Sequence, residues 1–189
     1  MKTATSRRPL VLIFMGVAGS GKTTVAALFA KNTGATFYEG DEFHPPANIA
    51  KMSRGIPLTD DDRERWLQTL RKIIARALAV NEFAVLTCSA LKAKYRDRLQ
   101  GGDPRVQFVH LTCPRALLEE RLKSRRGHFM PPGLLDSQLA ALEPPADALS
   151  FSCEMPPGEI VAALVQALWK FLGPAPATRW SGPHTKSHT

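Results

Sequence analysis

The 189-residue sequence predicts a three-layer α/β domain, a five-stranded parallel sheet with helices on both faces. Two observations predict it. Short apolar runs alternate with longer segments of helical periodicity through residues 10–172, and a glycine-rich turn separates the first run from the first helix. Parallel strands need crossover connections, and helices supply them while covering both faces of the sheet.

The first strand is residues 10–15, LVLIFM, an unbroken apolar run suited to burial on both sides. A helix over 23–32 follows, with Val25, Leu28 and Phe29 at helical spacing and Gly34 at its stop. Residues 35–38 form a short second strand ending near Asp41. Residues 45–57 read as a turn, a short helix over 48–52, and a loop marked by Gly55 and Pro57. Residues 59–62 cap a long helix: the acids suit its positive end, and Trp66, Leu67, Leu70, Ile74 and Leu78 give it an apolar stripe. A strand at 83–88, a helix over 91–99, a strand at 106–111 and a helix from Pro114 to about Lys123 continue the alternation. Residues 124–137 break the rhythm with clustered arginines, Gly127, Pro131, Pro132 and Gly133, as a mobile lid would. A short helix ending near Leu142, a fifth strand at 149–153 and a helix over 158–172 complete the domain. The expected organisation is a flexible N-terminus (1–9), one domain (10–172) with its lid at about 124–137, and a disordered tail (173–189) rich in proline and polar residues.

Composition narrows the function. Hydrophobic residues at 44% and charged residues at 22% describe an ordinary globular chain. The longest apolar run falls well short of the ~20 residues that span a bilayer. Arg7 and Arg8 precede it, but the glycine-rich loop follows at once with no cleavage site between, so it reads as a strand and not a signal peptide. Neither a membrane nor an export route is expected. A formal net charge of +8 favours anionic ligands; the basic residues are dispersed and no recognition motif accompanies them, so nucleic acid is not expected. Cys88, Cys113 and Cys153 are odd in number and widely spaced, so neither a disulfide nor a zinc site is expected, and the usage fits a reducing cytoplasm.

The strongest chemical signal is GVAGSGKTT, comprising Gly16, Val17, Ala18, Gly19, Ser20, Gly21, Lys22, Thr23 and Thr24. It satisfies G-x-x-x-x-G-K-[ST] between a predicted strand and a predicted helix, the context of a phosphate-binding P-loop. Glycines let backbone N–H groups approach phosphate oxygens, the helix N-terminus adds positive potential, and Lys22 reaches the β and γ phosphates. Thr23 holds magnesium through its hydroxyl. ATP and Mg²⁺ are therefore the expected cofactors, although the loop alone does not separate kinases from GTPases or ATPase motors. The chain lacks an N-K-x-D guanine signature, and its third strand ends in Thr87-Cys88-Ser89 where many such proteins carry an acid. Asp41, ending the second strand, is then the acid facing the phosphates. It can orient the attacking hydroxyl, accept its proton or hold magnesium through water. Arg121 and Arg125, four apart, share one face of a helix running into the lid.

Further blocks run in order along residues 10–172: Gly40-Asp41 with His44-Pro45, Asn48, Lys51-Met52, Gly55, Pro57-Leu58, Asp60, and Asp62-Arg63 with Trp66-Leu67. Cys88-Ser89-Ala90-Leu91-Lys92 with Tyr95-Arg96, Gly127-His128-Phe129 and Leu142-Glu143-Pro144 follow. On these the sequence resembles the gluconokinases, themselves similar to shikimate and nucleoside-monophosphate kinases. The resemblance implies ATP-dependent, magnesium-assisted phosphorylation of D-gluconate to 6-phospho-D-gluconate by a homodimer. Gluconate carries a carboxylate and five hydroxyls, and His44, Lys51, Arg63, Ser89, Lys92 and Arg96 can meet them. The likeness further assigns Arg125 to the moving phosphoryl, with Arg126 as its substitute, and Arg121 to a position nearer the base. His128 with Phe129 belongs to a water-excluding lid, with His128 also a substrate contact, and the loop at 156–159 lies beside adenine. Two other readings stay open at the level of sequence: a kinase for another sugar acid or a shikimate-like metabolite, and a nucleotide switch with no small-molecule acceptor.

Overall fold

A computed structural model describes residues 10–124 and 132–172. Five strands form one parallel sheet in the order β2-β3-β1-β4-β5, with β1 Leu10–Met15, β2 Thr36–Tyr38, β3 Phe83–Thr87, β4 Val106–Thr112 and β5 Leu149–Ser152. The apolar run therefore sits at the centre, and all six residues of β1 are buried. Its side chains alternate. Val11, Ile13 and Met15 pack with α3 (Asp60–Ala79) and α4 (Ala93–Gln100), whereas Leu10, Leu12 and Phe14 pack with α1 (Lys22–Thr33) and α7 (Pro157–Leu172). A smaller cluster, Val17, Leu91, Leu118 and Leu135, joins the phosphate loop to α5 (Arg115–Ser124) and α6 (Pro132–Ala141).

The cap expected on α3 is a full capping box. The Asp62 N–H donates to Thr59 Oγ1 at 3.2 Å, and the Thr59 N–H donates to Asp62 Oδ2 at 2.8 Å. Two local expectations change. The second strand stops at Tyr38, and Gly40–Phe43 turn as a 3-10 helix because the chain there presses on the end of β3. A Cβ on Gly40 would lie 1.9 Å from the Thr87 carbonyl oxygen, so only glycine passes. Helix α4 begins at Ala93, two residues later than expected, because Ala90 adopts a left-handed φ of 43° and Leu91 turns inward.

The cysteine expectation is overturned. Cys113 and Cys153 form a disulfide, with Cα atoms 5.2 Å apart. The 40-residue separation concealed that each cysteine directly follows one of two neighbouring parallel strands, β4 and β5, whose register brings their ends together. The argument from cysteine usage to a reducing compartment goes with it. Cys88 remains a free, buried thiol. Among the described residues no helix is long and apolar enough to cross a membrane. The first nine residues, the proposed tail and residues 125–131 of the expected lid, with Arg125, Arg126 and His128, lie outside the described residues. The second part of that segment forms the start of α6.

Candidate active site

The phosphate loop leaves the C-terminal end of β1 and enters α1 at Gly21, whose φ of 91° is left-handed. Gly16 is required sterically: at φ 139°, a Cβ would meet the Leu111 carbonyl oxygen at 2.8 Å. Its N–H donates to the Ser89 carbonyl at 3.3 Å, tying the loop to the segment after β3. Lys22 Nζ donates to the Val17 carbonyl at 3.0 Å, folded over its own loop, and Thr23 and Thr24 are exposed at the first turn of α1. Beside the loop lies a cavity of about 320 Å³ lined by Gly19, Thr24, Arg121, Cys153, Met155 and Pro157. Arg121 spans its mouth, donating from Nη1 to the Gly19 carbonyl at 3.4 Å and from Nη2 to the Cys153 carbonyl at 2.8 Å.

After β2, the 3-10 turn Gly40–Phe43 carries Asp41, exposed. The buried Cys88 thiol locates the group electrostatically. Its pKa is pushed up to about 12, chiefly by burial, and it feels Asp41, Lys22 and Arg63 together. Three of the predicted residues are thus gathered around the end of β3. His44 closes the turn, buried and stacked on Trp66 with ring centroids 4.1 Å apart. Burial lowers its pKa, Asp41 opposes that shift and Arg63 adds to it. The Trp66 indole N–H donates to the Gly40 carbonyl at 2.7 Å and anchors the turn on α3.

The expected cations divide by their partners. Lys51 pairs with Asp62 at 2.6 Å, and Lys92 pairs with Asp60 at 2.8 Å, so both rest on acids of the α3 cap. Asp62 is lowered to about 2, mainly by Lys51 and then by the Thr59 backbone. Asp60 is held well below the usual carboxylate range by Lys92 first, with Lys94 and Tyr95 adding to it. Arg63 donates from Nη1 to the Leu58 and Thr59 carbonyls, and among the described residues no carboxylate lies within ion-pair distance of it. Arg96 rests on backbone carbonyls. Its guanidinium is buried and donates to the Ala90 and Leu91 carbonyls at 3.2 and 3.1 Å, bracing the loop that carries Ser89 and Lys92.

A family model described as an AAA domain matches residues 11–145. The gluconokinase of Gluconobacter oxydans is 45% identical over 168 residues, covering 87% of this chain and 94% of its own length. The chain belongs to the gluconokinase family. Two solved structures agree. A gluconokinase from Sinorhizobium meliloti 1021 is 42% identical with a TM-score of 0.74, covering 87% of this chain and 98% of that one. An unliganded sugar kinase from Janibacter sp. HTCC2649 is 43% identical with a TM-score of 0.79, covering 87% and 96%.

Two groups at this gluconokinase-family site escaped sequence reasoning. Glu39 follows β2, and its Oε1 accepts the Thr87 hydroxyl while its Oε2 is buried without a hydrogen-bond partner among the described residues. Thr87 Oγ1 also accepts the Gly40 N–H at 3.0 Å, so the residue standing where an acid is common instead holds an acid from the neighbouring strand. The spacing Glu39-Gly40-Asp41 carried that signal. Gln138 of α6 accepts the Ala18 N–H through Oε1 at 2.8 Å, a contact across 120 residues that no local pattern reveals.

Proposed function

We propose that this chain transfers the γ-phosphoryl group of ATP to D-gluconate, giving ADP and 6-phospho-D-gluconate. One observation carries the reading: a phosphate cradle and an acid-and-cation cluster, Asp41, His44 and Arg63, share the C-terminal ends of the central strands in a chain of this family. The triphosphate lies along residues 16–24 with its base end in the cavity under Arg121. The acceptor enters over the 3-10 turn. Arg63, the cation with no acid of its own among the described residues, receives the carboxylate; His44, Ser89, Lys51 and Lys92 contact hydroxyls.

Asp41 orients the attacking hydroxyl and takes its proton as the new P–O bond forms and the bond to the β-phosphate oxygen breaks. Phosphoryl transfer is largely dissociative, so this positioning outweighs base strength. Lys22 follows the charge from the γ- to the β-phosphate. Arg125 is the proposed partner of the moving phosphoryl, with the lid around His128 excluding water. Mg²⁺ fits the hard oxygen donors present: the exposed Thr23 hydroxyl, Asp41, and Glu39, whose buried Oε2 has no hydrogen-bond partner among the described residues. When bound it neutralises charge on the phosphates.

The deciding experiment is an acceptor panel. With ATP and magnesium, D-gluconate is expected to release ADP rapidly, and shikimate, nucleoside monophosphates and glucose slowly. A flat response to gluconate alone rejects the substrate; a flat response to every acceptor rejects the kinase. We further propose a homodimer in the cytoplasm, where ATP is supplied. Sedimentation and fractionation test these two points.

A further inference from the structure

We infer that Asn48 is a positioning residue that fixes His44 as the neutral tautomer with its proton on Nε2, making His44 an obligate hydrogen-bond donor to the acceptor substrate. The inference rests on the proposed reaction for its consequence, but not for its geometry. Asn48 is buried on α2 (Pro46–Ser53), one turn beyond His44. Its Nδ2 lies 2.8 Å from the Asp62 carbonyl oxygen and 3.3 Å from His44 Nδ1. A carbonyl oxygen only accepts, so the atom facing it is the amide NH₂ and not the amide oxygen. The second hydrogen of that NH₂ is left for His44 Nδ1, which must then present a lone pair. A neutral imidazole carries one proton, and Nε2 is the remaining place for it.

Two further contacts keep the ring in this orientation. It lies nearly parallel to the Trp66 indole, with 17° between planes, and that indole is itself held by its hydrogen bond to the Gly40 carbonyl. The His44 backbone N–H donates to the Asp41 carbonyl at 3.3 Å, so ring and acid belong to one turn. The charged groups facing His44 are Asp41 on the turn and Arg63 on α3. Arg63 already supplies positive charge there, and a neutral donor adds a directional bond without a further cation. A polyhydroxy acid offers lone pairs on its hydroxyls and on its carboxylate. A ring with the opposite tautomer would meet the same hydroxyls as an acceptor and would repel a carboxylate oxygen.

The test begins with the unaltered protein and needs no turnover. Long-range ¹H–¹⁵N NMR of the imidazoles, with His44 assigned from a His44→Gln variant, is expected to show a bare Nδ1 and a protonated Nε2. A protonated Nδ1, or a mixture of the two neutral forms, overturns the inference. Asn48→Asp replaces the donor by an acceptor and is expected to move the proton to Nδ1. KM for gluconate should then rise about 10-fold, the scale of one hydrogen bond, with KM for ATP unchanged. A lower melting temperature with tautomer and KM unaltered would reduce Asn48 to a structural role. Absence of gluconate turnover in the unaltered protein would reject the proposed reaction, and the NMR result would still decide the tautomer.

Discussion

Lys22, at the start of α1, and Asp41, in the 3-10 turn, both act electrostatically on the Cys88 thiol, yet they predict separable failures. Lys22→Ala is expected to abolish phosphoryl transfer, because the γ-phosphate loses the cation that follows its charge. Asp41→Asn is expected to lower kcat by about 10²–10⁴-fold, the range for a positioned acid or base, while calorimetry shows ATP affinity little changed. Near-normal kcat in that variant would remove Asp41 from the chemistry. Thr87 offers a subtler test: its hydroxyl accepts from Gly40 and donates to Glu39 inside the protein. Thr87→Val keeps the shape and strands both partners, so stability should fall by roughly 1–3 kcal/mol in denaturant titrations. Because Gly40 precedes Asp41, kcat should fall as well.

At the scale of elements, the first turn of α3 holds the acids that pair with Lys51 and Lys92, two of the proposed substrate cations. Thr59→Ala removes one half of the capping box and is expected to cost about 1 kcal/mol in thermal or urea unfolding. Acid acts on the same helix. Asp62 falls from an ordinary 3.8 to about 2 on folding, so its contribution is present above the ordinary value and is lost as pH drops towards 2. His110 on β4 behaves differently. Burial lowers its pKa from 6.5, and Arg96 adds to the effect, so below 6.5 the unfolded chain binds the proton better and stability declines as pH falls. His110→Gln should flatten the stability profile just below pH 6.5, and Lys51→Met the part at lower pH.

Most of this was legible in the chain because the informative signals were local. The run 10–15, the glycines of the phosphate loop and the acids before Trp66 each state their conformation within one element, and strand β1 and helix α3 follow them. What sequence hid depended on strand order. The disulfide needs β4 beside β5, the Glu39–Thr87 contact needs β2 beside β3, and the Gln138 contact needs α6 folded over the loop. The surroundings of individual side chains were hidden for a related reason: Arg96 matched the chemistry of a substrate cation, and nothing local showed that its Nη1 would donate to the Ala90 and Leu91 carbonyls.

The whole molecule carries one covalent link between distant segments, Cys113 to Cys153, and Cys153 also lines the cavity beside the phosphate loop. Closing a loop of that length is worth about 4 kcal/mol in the chain-entropy model. The paired change Cys113→Ser with Cys153→Ser should therefore lower the melting temperature, and a dithiol reductant should lower it in the unaltered protein but not in the variant.

The strand order also bears on synthesis. β1 hydrogen-bonds to β3 and β4 and not to the intervening β2, so the hexapeptide at the centre of the sheet leaves the ribosome roughly 70 residues before its first partner, about 4–14 s at ordinary elongation rates. Throughout that interval LVLIFM is an uncharged, β-prone segment with both edges bare, a composition that self-associates. Expression yield and inclusion-body content, more than final melting temperature, are where changes that slow the emergence or docking of β3 and β4 will first be felt.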